Sequence, residues 1–331
     1  MNISELKTYL GEAYVKAETM LAKSLASDID LLNKTNRSLL DNGGKRLRMA
    51  LGLLVARACS GGFYSDDSVR FAVASELLHN ATLLHDDVAD ESSQRRGVPT
   101  VYSLLGGKNS VLLGDFWLVK AVGRILDADN NVLEVVKLFS KTLSNLAEGE
   151  MLQLQNAYHF PASIHTYYRI IYNKTASLFE SDAIAAAVSV GASKVKKDAA
   201  KEFASNLGMA FQVKDDIMDY TLGGDKGKPS LQDIAEGKIT LPLIGAAQNA
   251  PEEAVALFSS QLASYLDKRV QVSDIQSLAE KFVLDFKGMD YAESKVSEFT
   301  DKALIALKEL PDTADRKKLA ELTRFVGTRT F

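Results

Sequence analysis

The chain has 331 residues, 46% of them hydrophobic and 25% charged, which excludes wholesale disorder and leaves ample apolar mass for a large core. A formal net charge of −4 excludes the strongly basic footprint of a nucleic-acid binder. No apolar run approaches the roughly 18 residues of a membrane span.

The start, "MNISELKTYLGEAYVKAE", has no apolar run after a basic stretch and does not read as a secretory signal. The one cysteine, Cys59, cannot close an internal disulfide, which favours a reducing compartment. The expectation is a cytoplasmic protein.

In chain order, apolar residues recur at helical spacing on Leu47, Leu51, Leu54, Val55 and Ala58, then from Val73 to Val88. A further apolar face is Val111, Leu112, Phe116, Val119 and Val122, and the pattern continues over Val132–Leu154, Ala199–Tyr220, Ala254–Leu266 and Tyr291–Leu310. Turn residues break it at "DNGGKR" (41–46), "SGGFYSDD" (60–67), "RRGVPT" (95–100), "LLGGKNS" (104–110), "YHFPAS" (158–163) and "TLGGDKGKPS" (221–230). Period-2 alternation is hard to find, and six prolines in the whole chain suit long helices. The pattern predicts an all-α fold, a bundle of ten or more helices. With no linker, repeat or composition shift, it predicts a single domain over 1–331.

Two stretches carry the same acidic spacing. "LLHDDVADESSQRRG" holds Asp86, Asp87 and Asp90, and "FQVKDDIMDY" holds Asp215, Asp216 and Asp219. At about 100° per residue, Asp86 and Asp90 share one helix face, as do Asp215 and Asp219. One D-D-x-x-D alone reads as a solvated acidic face. Two copies in apolar surroundings place like charges together, which is unfavourable without a cation. Hard Mg²⁺ suits carboxylate oxygens and is typically completed by substrate phosphates. The chain has no His/Cys cluster for zinc and no P-loop.

Cations gather at the breaks: Lys45, Arg46 and Arg48 in "GGKRLR", Arg95 and Arg96 after Asp90, Lys174 in "NKTASLF", and Lys228 and Lys238 in "GKPSLQDIAEGKITLPLI". Singly each reads as a surface charge; together they suit diphosphate oxygens. These stretches, with "GDFWL" and "EGEMLQL", stand in the order found in trans-polyprenyl diphosphate synthases, long-chain type, and the chain is similar to that family over roughly residues 40–245. The tail from Gly288 to Pro311 resembles it too. Departures are Met49 where proline is common, Ala89 where a larger apolar residue is usual, and Leu231 where glycine is frequent.

The resemblance implies the isoprenoid synthase fold around a central cavity and one polyprenyl synthetase domain. It implies Mg²⁺-dependent head-to-tail condensation of isopentenyl diphosphate with an allylic diphosphate, three Mg²⁺ per site, and a homodimer. By motif match Asp86, Asp90 and Asp215 ligate Mg²⁺, while Asp87, Asp216 and Asp219 act through water or orient the others. Arg95, Lys174 and Lys238, with Lys228 nearby, hold the allylic diphosphate. Lys45, Arg48, His79 and Arg96 hold isopentenyl diphosphate, and Gly44 lets the chain pass close. Thr175 and Gln212 offer oxygen dipoles to the allylic cation. His79 as a plain helix-face histidine and Gln212 as an internal hydrogen-bonder stay open.

In this family an aromatic residue four or five places before the first aspartate stops chain growth; here Thr82 and Ala81 stand there, with Leu78 further back as a possible plug. A long product of roughly six to eleven isoprene units is expected, at about one unit per helical turn left open. Short-chain synthesis (farnesyl or geranylgeranyl diphosphate) is the alternative. A terpene cyclase and a catalytically silent partner subunit are disfavoured by the second full triplet and the intact basic block.

Overall fold

The computed structural model of the chain describes residues 3–42, 44, 46–95, 97–221, 231–267 and 271–329. Lys45, Arg96 and Lys228 lie outside the described residues. Helices follow one another as α1 (Ile3–Leu10), α2 (Glu12–Ser24), α3 (Asp30–Asp41), α4 (Leu47–Ser60) and α5 (Asp66–Ala89). A two-residue ribbon, β1 (Gln94–Arg95) paired antiparallel with β2 (Val98–Pro99), precedes α6 (Val101–Leu105), α7 (Gly107–Leu126) and α8 (Val132–Gln155). Next come α9 (Ile164–Ile171), a π-helical turn (Tyr172–Ala176), α10 (Ser177–Ser189) and α11 (Lys194–Thr221). The chain finishes with α12 (Gln232–Ala235), α13 (Leu241–Asn249), α14 (Glu252–Leu266), α15 (Val272–Asp285), α16 (Gly288–Ala306), a 3₁₀ turn (Leu307–Glu309) and α17 (Ala314–Thr328). The expected helices all form, and the only β pairing among the described residues is the short ribbon.

The chain divides into two compact units, residues 1–141, 178–201 and 306–322, and residues 142–177, 202–305 and 323–331. In the first unit α4 and α5 are buried on nearly every side, from Met49 to Cys59 and from Asp67 to Leu78. A helix apolar all round belongs in the middle of a bundle, and α5 accordingly packs against α2, α4, α6 and α7. It starts cleanly: Ser65 Oγ accepts the Ser68 N–H at 3.1 Å while the Ser65 N–H donates to Ser68 Oγ at 3.0 Å. Asp66 and Asp67 in the first turn complement the positive helix end.

Helix α7 is apolar on two faces, and the structure decides which one is packed. The face named from the sequence points outward, with Val111 38%, Leu112 57%, Val119 68% and Val122 39% exposed. The buried face is Ser110, Leu113, Gly114, Trp117, Ala121 and Ile125. Both faces are apolar, so periodicity cannot say which one meets the core. Shape and polar pairing decide: Gly114 admits His85, Ser110 Oγ donates to Leu84 O at 2.8 Å, and Trp117 Nε1 donates to buried Asn36 at 2.8 Å.

The second unit has its own core, in which Phe160, Ile234, Leu243, Phe258, Ile275 and Phe282 are buried together. Ring centroids of Phe258 lie 4.7 Å from those of both Phe160 and Phe282, within the range of favourable aromatic pairs.

Candidate active site

The first acidic stretch closes α5. Asp86 stands in the last turn and is half-buried, and Asp90 is the C-cap, its N–H donating to Asp86 O at 2.8 Å. Asp87 faces inward and is buried; its Oδ1 accepts from Arg95 Nε at 2.8 Å. Burial raises the Asp87 carboxyl above its ordinary value, Arg95 pulls it back, and Asp90 adds to the rise. The ribbon carrying Arg95 turns at Gly97, φ 78°, and is tied to the stretch before it by Thr100 Oγ1 donating to Ser92 O at 2.6 Å. Asp87 thus aims an arginine that the sequence placed beside it only by proximity.

Arg48 opens α4, with its guanidinium 4.7 Å from the Phe179 ring centre on α10. On the same pair of helix faces Gly52 meets Asp182, where a Cβ would sit 2.6 Å from Oδ1. Asp182 is fully buried, and neither carboxyl oxygen has a hydrogen bond of good geometry. Burial pushes its carboxyl well above the usual range; Arg48 opposes this, Glu76 adds to it, and Ser75 and the Gly52 amide ease it. Burial at this position therefore favours the neutral acid form of Asp182. The native chain holds a proton that the unfolded chain releases above a pH of about 4. Stability consequently falls as pH rises from about 4 through the folded value. Asp182→Asn removes that dependence, so it should melt above the parent chain at pH 8, with the gap closing toward pH 4. A gap constant with pH contradicts this.

His79 is half-buried on α5, and Thr82 Oγ1 donates to His79 O at 2.8 Å. Ala81 and Leu78 are buried in the helix packing, and Gly44 is half-buried before α4.

In the second unit the π turn Tyr172–Ala176 interrupts an otherwise continuous helix, with the Ser177 N–H reaching back to Tyr172 O. The widened turn changes the phase of the residues after it, a device frequent at functional sites. It presents Lys174 to α8, where Glu150 pairs with its ammonium. Gly149 permits the approach, since a Cβ there would lie 2.7 Å from Asn173 Cβ and 2.9 Å from Lys174 Cγ. On the next residue Thr175 Oγ1 donates to Gln212 Oε1 at 2.6 Å, and Gln212 Nε2 donates to Asp216 Oδ1 at 2.9 Å.

The second acidic stretch is the last full turn of α11. Asp216 is buried, accepts from Tyr167 OH at 2.5 Å, and is pushed up to about 7 by burial, against the pull of Tyr167 and Gln212. Asp219 accepts the N–H groups of Gln232 and Asp233, both at 3.1 Å, and so caps α12. Asp215 is the more open member; Arg329 Nη2 lies 2.7 Å from its Oδ1. Lys174, Gln212, Asp216 and Lys238, from separate stretches of sequence, line one pocket of about 180 Å³. Lys238 Nζ pairs with Glu236 at 2.5 Å.

Several participants escaped the sequence reading. Asp233 also lines this pocket and is half-buried, its carboxyl raised first by desolvation and then by Asp216 and Asp219. It stood in the quoted "LQDIAEGK" beside Lys238 and was passed over. Glu150 likewise stood within "EGEMLQL". Tyr167 and Arg329 had no sequence signal, because partners 49 and 114 residues apart meet only in the fold.

The polyprenyl synthetase family matches residues 29–281. Along nearly its whole length the chain is similar to an all-trans-nonaprenyl-diphosphate synthase (geranyl-diphosphate specific) from Rhodobacter capsulatus, 35% identical over 97% of this chain and 96% of that protein. It is similarly related to octaprenyl diphosphate synthase of Escherichia coli K12, 31% identical over 99% of both. Among solved structures it superposes on a decaprenyl diphosphate synthase from Rhodobacter capsulatus with a TM-score of 0.91 at 32% identity, covering 100% of both chains. A Caulobacter crescentus polyprenyl synthase complexed with calcium and isoprenyl diphosphate gives 0.90 at 31%, covering 100% of this chain and 98% of that one. The chain belongs to the polyprenyl synthetase family and has the isoprenoid synthase fold. It is a prenyltransferase, a trans-polyprenyl diphosphate synthase.

Proposed function

We propose that the chain, acting as a single polyprenyl synthetase domain over 1–331, condenses isopentenyl diphosphate head-to-tail with an allylic diphosphate and repeats the step to a long all-trans polyprenyl diphosphate. The observation that carries this reading furthest is the pocket of about 180 Å³ shared by Lys174, Gln212, Asp216 and Lys238. It sets anion-binding ammonium groups beside amide and carboxyl oxygens, the combination a departing diphosphate and a nascent allylic cation call for.

Asp86 on α5, Asp90 at its C-cap and Asp215 on α11 are the carboxylates that would hold Mg²⁺, a hard ion that takes oxygen ligands. Three ions are proposed, and when bound they neutralise charge on the leaving pyrophosphate. Lys174, Lys238 and Arg95 hold the allylic diphosphate, and Lys228, outside the described residues, is assigned to it by motif alone. Asp87 aims Arg95 through Nε, leaving the forked end for phosphate oxygens. Lys45, Arg48, His79 and Arg96 hold isopentenyl diphosphate.

As the C1–O bond of the allylic substrate breaks, its electron pair leaves with pyrophosphate. The double bond of isopentenyl diphosphate then attacks C1, and the released pyrophosphate takes the proton that the adduct loses as its new double bond forms. Thr175 and Gln212 lower the energy of the cation without trapping it, since their oxygens are neutral and fixed in mutual hydrogen bonding. Asp216, Asp219 and Tyr167 orient the turn that carries Asp215.

No helix among the described residues is long and apolar enough to cross a membrane, and a cytoplasmic location is proposed with the function. The outward face of α7, with Leu112, Val119, Val122 and Leu126 exposed, borders an apolar groove of about 270 Å³ lined by Ile29, Leu32, Leu105 and Phe116. A patch of this kind supports the homodimer. Val119→Asp should convert a dimer to a monomer in sedimentation at micromolar concentration. An unchanged dimer would move the interface elsewhere.

Pyrophosphate release tests the reaction class. It should require Mg²⁺, an allylic diphosphate and isopentenyl diphosphate together. Release from the allylic diphosphate alone would favour a cyclase. No release under any condition would revive the silent-subunit reading.

A further inference from the structure

Arg329 follows α17 directly and folds back onto α11. Its Nη2 donates to Asp215 Oδ1 at 2.7 Å and to Phe211 O at 2.9 Å, and its guanidinium carbon lies 3.8 Å from the Phe211 ring centre. Phe211 and Asp215 are one helical turn apart, so a single arginine grips a ring, a carbonyl and a carboxylate on one face of α11. The side chain is largely buried, 11% exposed against 40% for Asp215. Val326 is buried and Gly327 packs against Thr300 of α16, which holds the chain leading into Arg329.

The grip is incomplete. Arg329 Nε is buried and has no hydrogen-bond partner among the described residues, a state that carries a desolvation penalty. A guanidinium whose hydrogen bonds to α11 both come from Nη2 while Nε is orphaned is easier to displace than a fully paired one. The carboxylate it holds is also the one read above as a metal ligand. A divalent cation bonds carboxylate oxygen at about 2.1 Å, and a guanidinium hydrogen-bonded to that same carboxylate repels it.

We propose that Arg329 is a resident counter-cation of Asp215 that a divalent metal must displace, so that metal binding at the second acidic stretch releases Arg329 from α11. This rests on the reading of Asp215 as a metal carboxylate. The coupling is reciprocal: whatever holds Arg329 on Asp215 weakens metal binding by the same factor by which metal weakens the Arg329 contact.

The test titrates the full chain with Mn²⁺ alone, reading free Mn²⁺ by electron paramagnetic resonance, for the parent, Arg329→Gln, Arg329→Lys and Asp215→Asn. Arg329→Gln should bind Mn²⁺ about five- to tenfold more tightly, Arg329→Lys less so, and Asp215→Asn more weakly than the parent. Equal or weaker binding by Arg329→Gln, with Asp215→Asn still impaired, overturns the counter-cation. Unimpaired Asp215→Asn removes the metal reading itself, and the proposal with it. In the unmutated chain Mn²⁺ should also speed amide hydrogen exchange over residues 324–329. If Arg329→Gln does not fold, that measurement decides, and exchange unaffected by Mn²⁺ overturns the proposal.

Discussion

Asp86→Ala is expected to lower the rate of pyrophosphate release by about a thousandfold or more, with the fold intact. A thousandfold is about 4 kcal/mol of lost transition-state stabilisation, the scale for removing a directly engaged charge. Asp86 sits one turn before Asp90 at the open end of α5, and its neighbour Asp87 is the member engaged with Arg95. Like charges at this spacing destabilise a helix by a few tenths of a kcal/mol, so removing one should leave the melting temperature level or slightly higher. Rate and stability therefore part company, which a purely structural carboxylate would not show. Asp87→Asn makes the contrast: it strands Arg95 and should lower both rate and stability. A loss smaller than tenfold for Asp86→Ala would mean that the first acidic stretch does not touch the leaving group.

Gly208→Ala is expected to destabilise the chain by about 2 kcal/mol and to slow the reaction as well. A Cβ at Gly208 would lie 2.6 Å from Ala176 Cα and 2.9 Å from Ala176 Cβ. Ala176 is fully buried and ends the π turn that carries Lys174 and Thr175. Neither α11 nor that turn has a flexible side chain to give way, so backbone must move, at an overpacking cost of about 1–3 kcal/mol. The better helix propensity of alanine returns up to about 1 kcal/mol. Gly123 on α7 supplies the control, because a Cβ there meets nothing within 4 Å. Gly123→Ala should stabilise, by as much as about 1 kcal/mol. Chemical denaturation of the pair settles it, and a Gly208→Ala chain at least as stable as the parent contradicts close packing at the π turn.

Much of the fold was legible because helical periodicity survives wherever one face is wet, as from Ala254 to Leu266 or Ala199 to Tyr220. It left α7 undecided, because Leu112 and Leu113, or Phe116 and Trp117, are apolar side by side and hydropathy carries no direction. Only the small residues Ser110, Gly114 and Ala121 mark the packed face, and small size is a weak signal beside valine and leucine. The π turn was invisible too, since one extra residue in a helical ring leaves no compositional trace.

Candidates concentrated in one stretch were legible as positions: the first triplet ends α5, the second lies near the end of α11, and Lys174 of "NKTASLF" lines the same pocket as Asp216. What pairs across the fold was not. Tyr167 on Asp216, Arg329 on Asp215 and Asp182 beneath Arg48 depend on contacts between distant segments. Asp182 in particular is a buried carboxyl without a well-formed hydrogen bond, and burial shifts it toward the protonated form.

The measurement that bears most directly on the central claim is the length of the product. Labelled isopentenyl diphosphate, farnesyl diphosphate and Mg²⁺ are incubated with the parent chain and with Ala81→Phe, and the dephosphorylated products are separated by chain length. Ala81 is buried on α5 just over one turn before Asp86, a position at which the family resemblance puts the residue that stops chain growth. The account predicts a ladder ending at roughly six to eleven isoprene units for the parent, at about one unit per open helical turn, and a markedly shorter end product for Ala81→Phe. A parent product that stops at farnesyl or geranylgeranyl diphosphate would keep the chemistry and contradict the long-chain assignment.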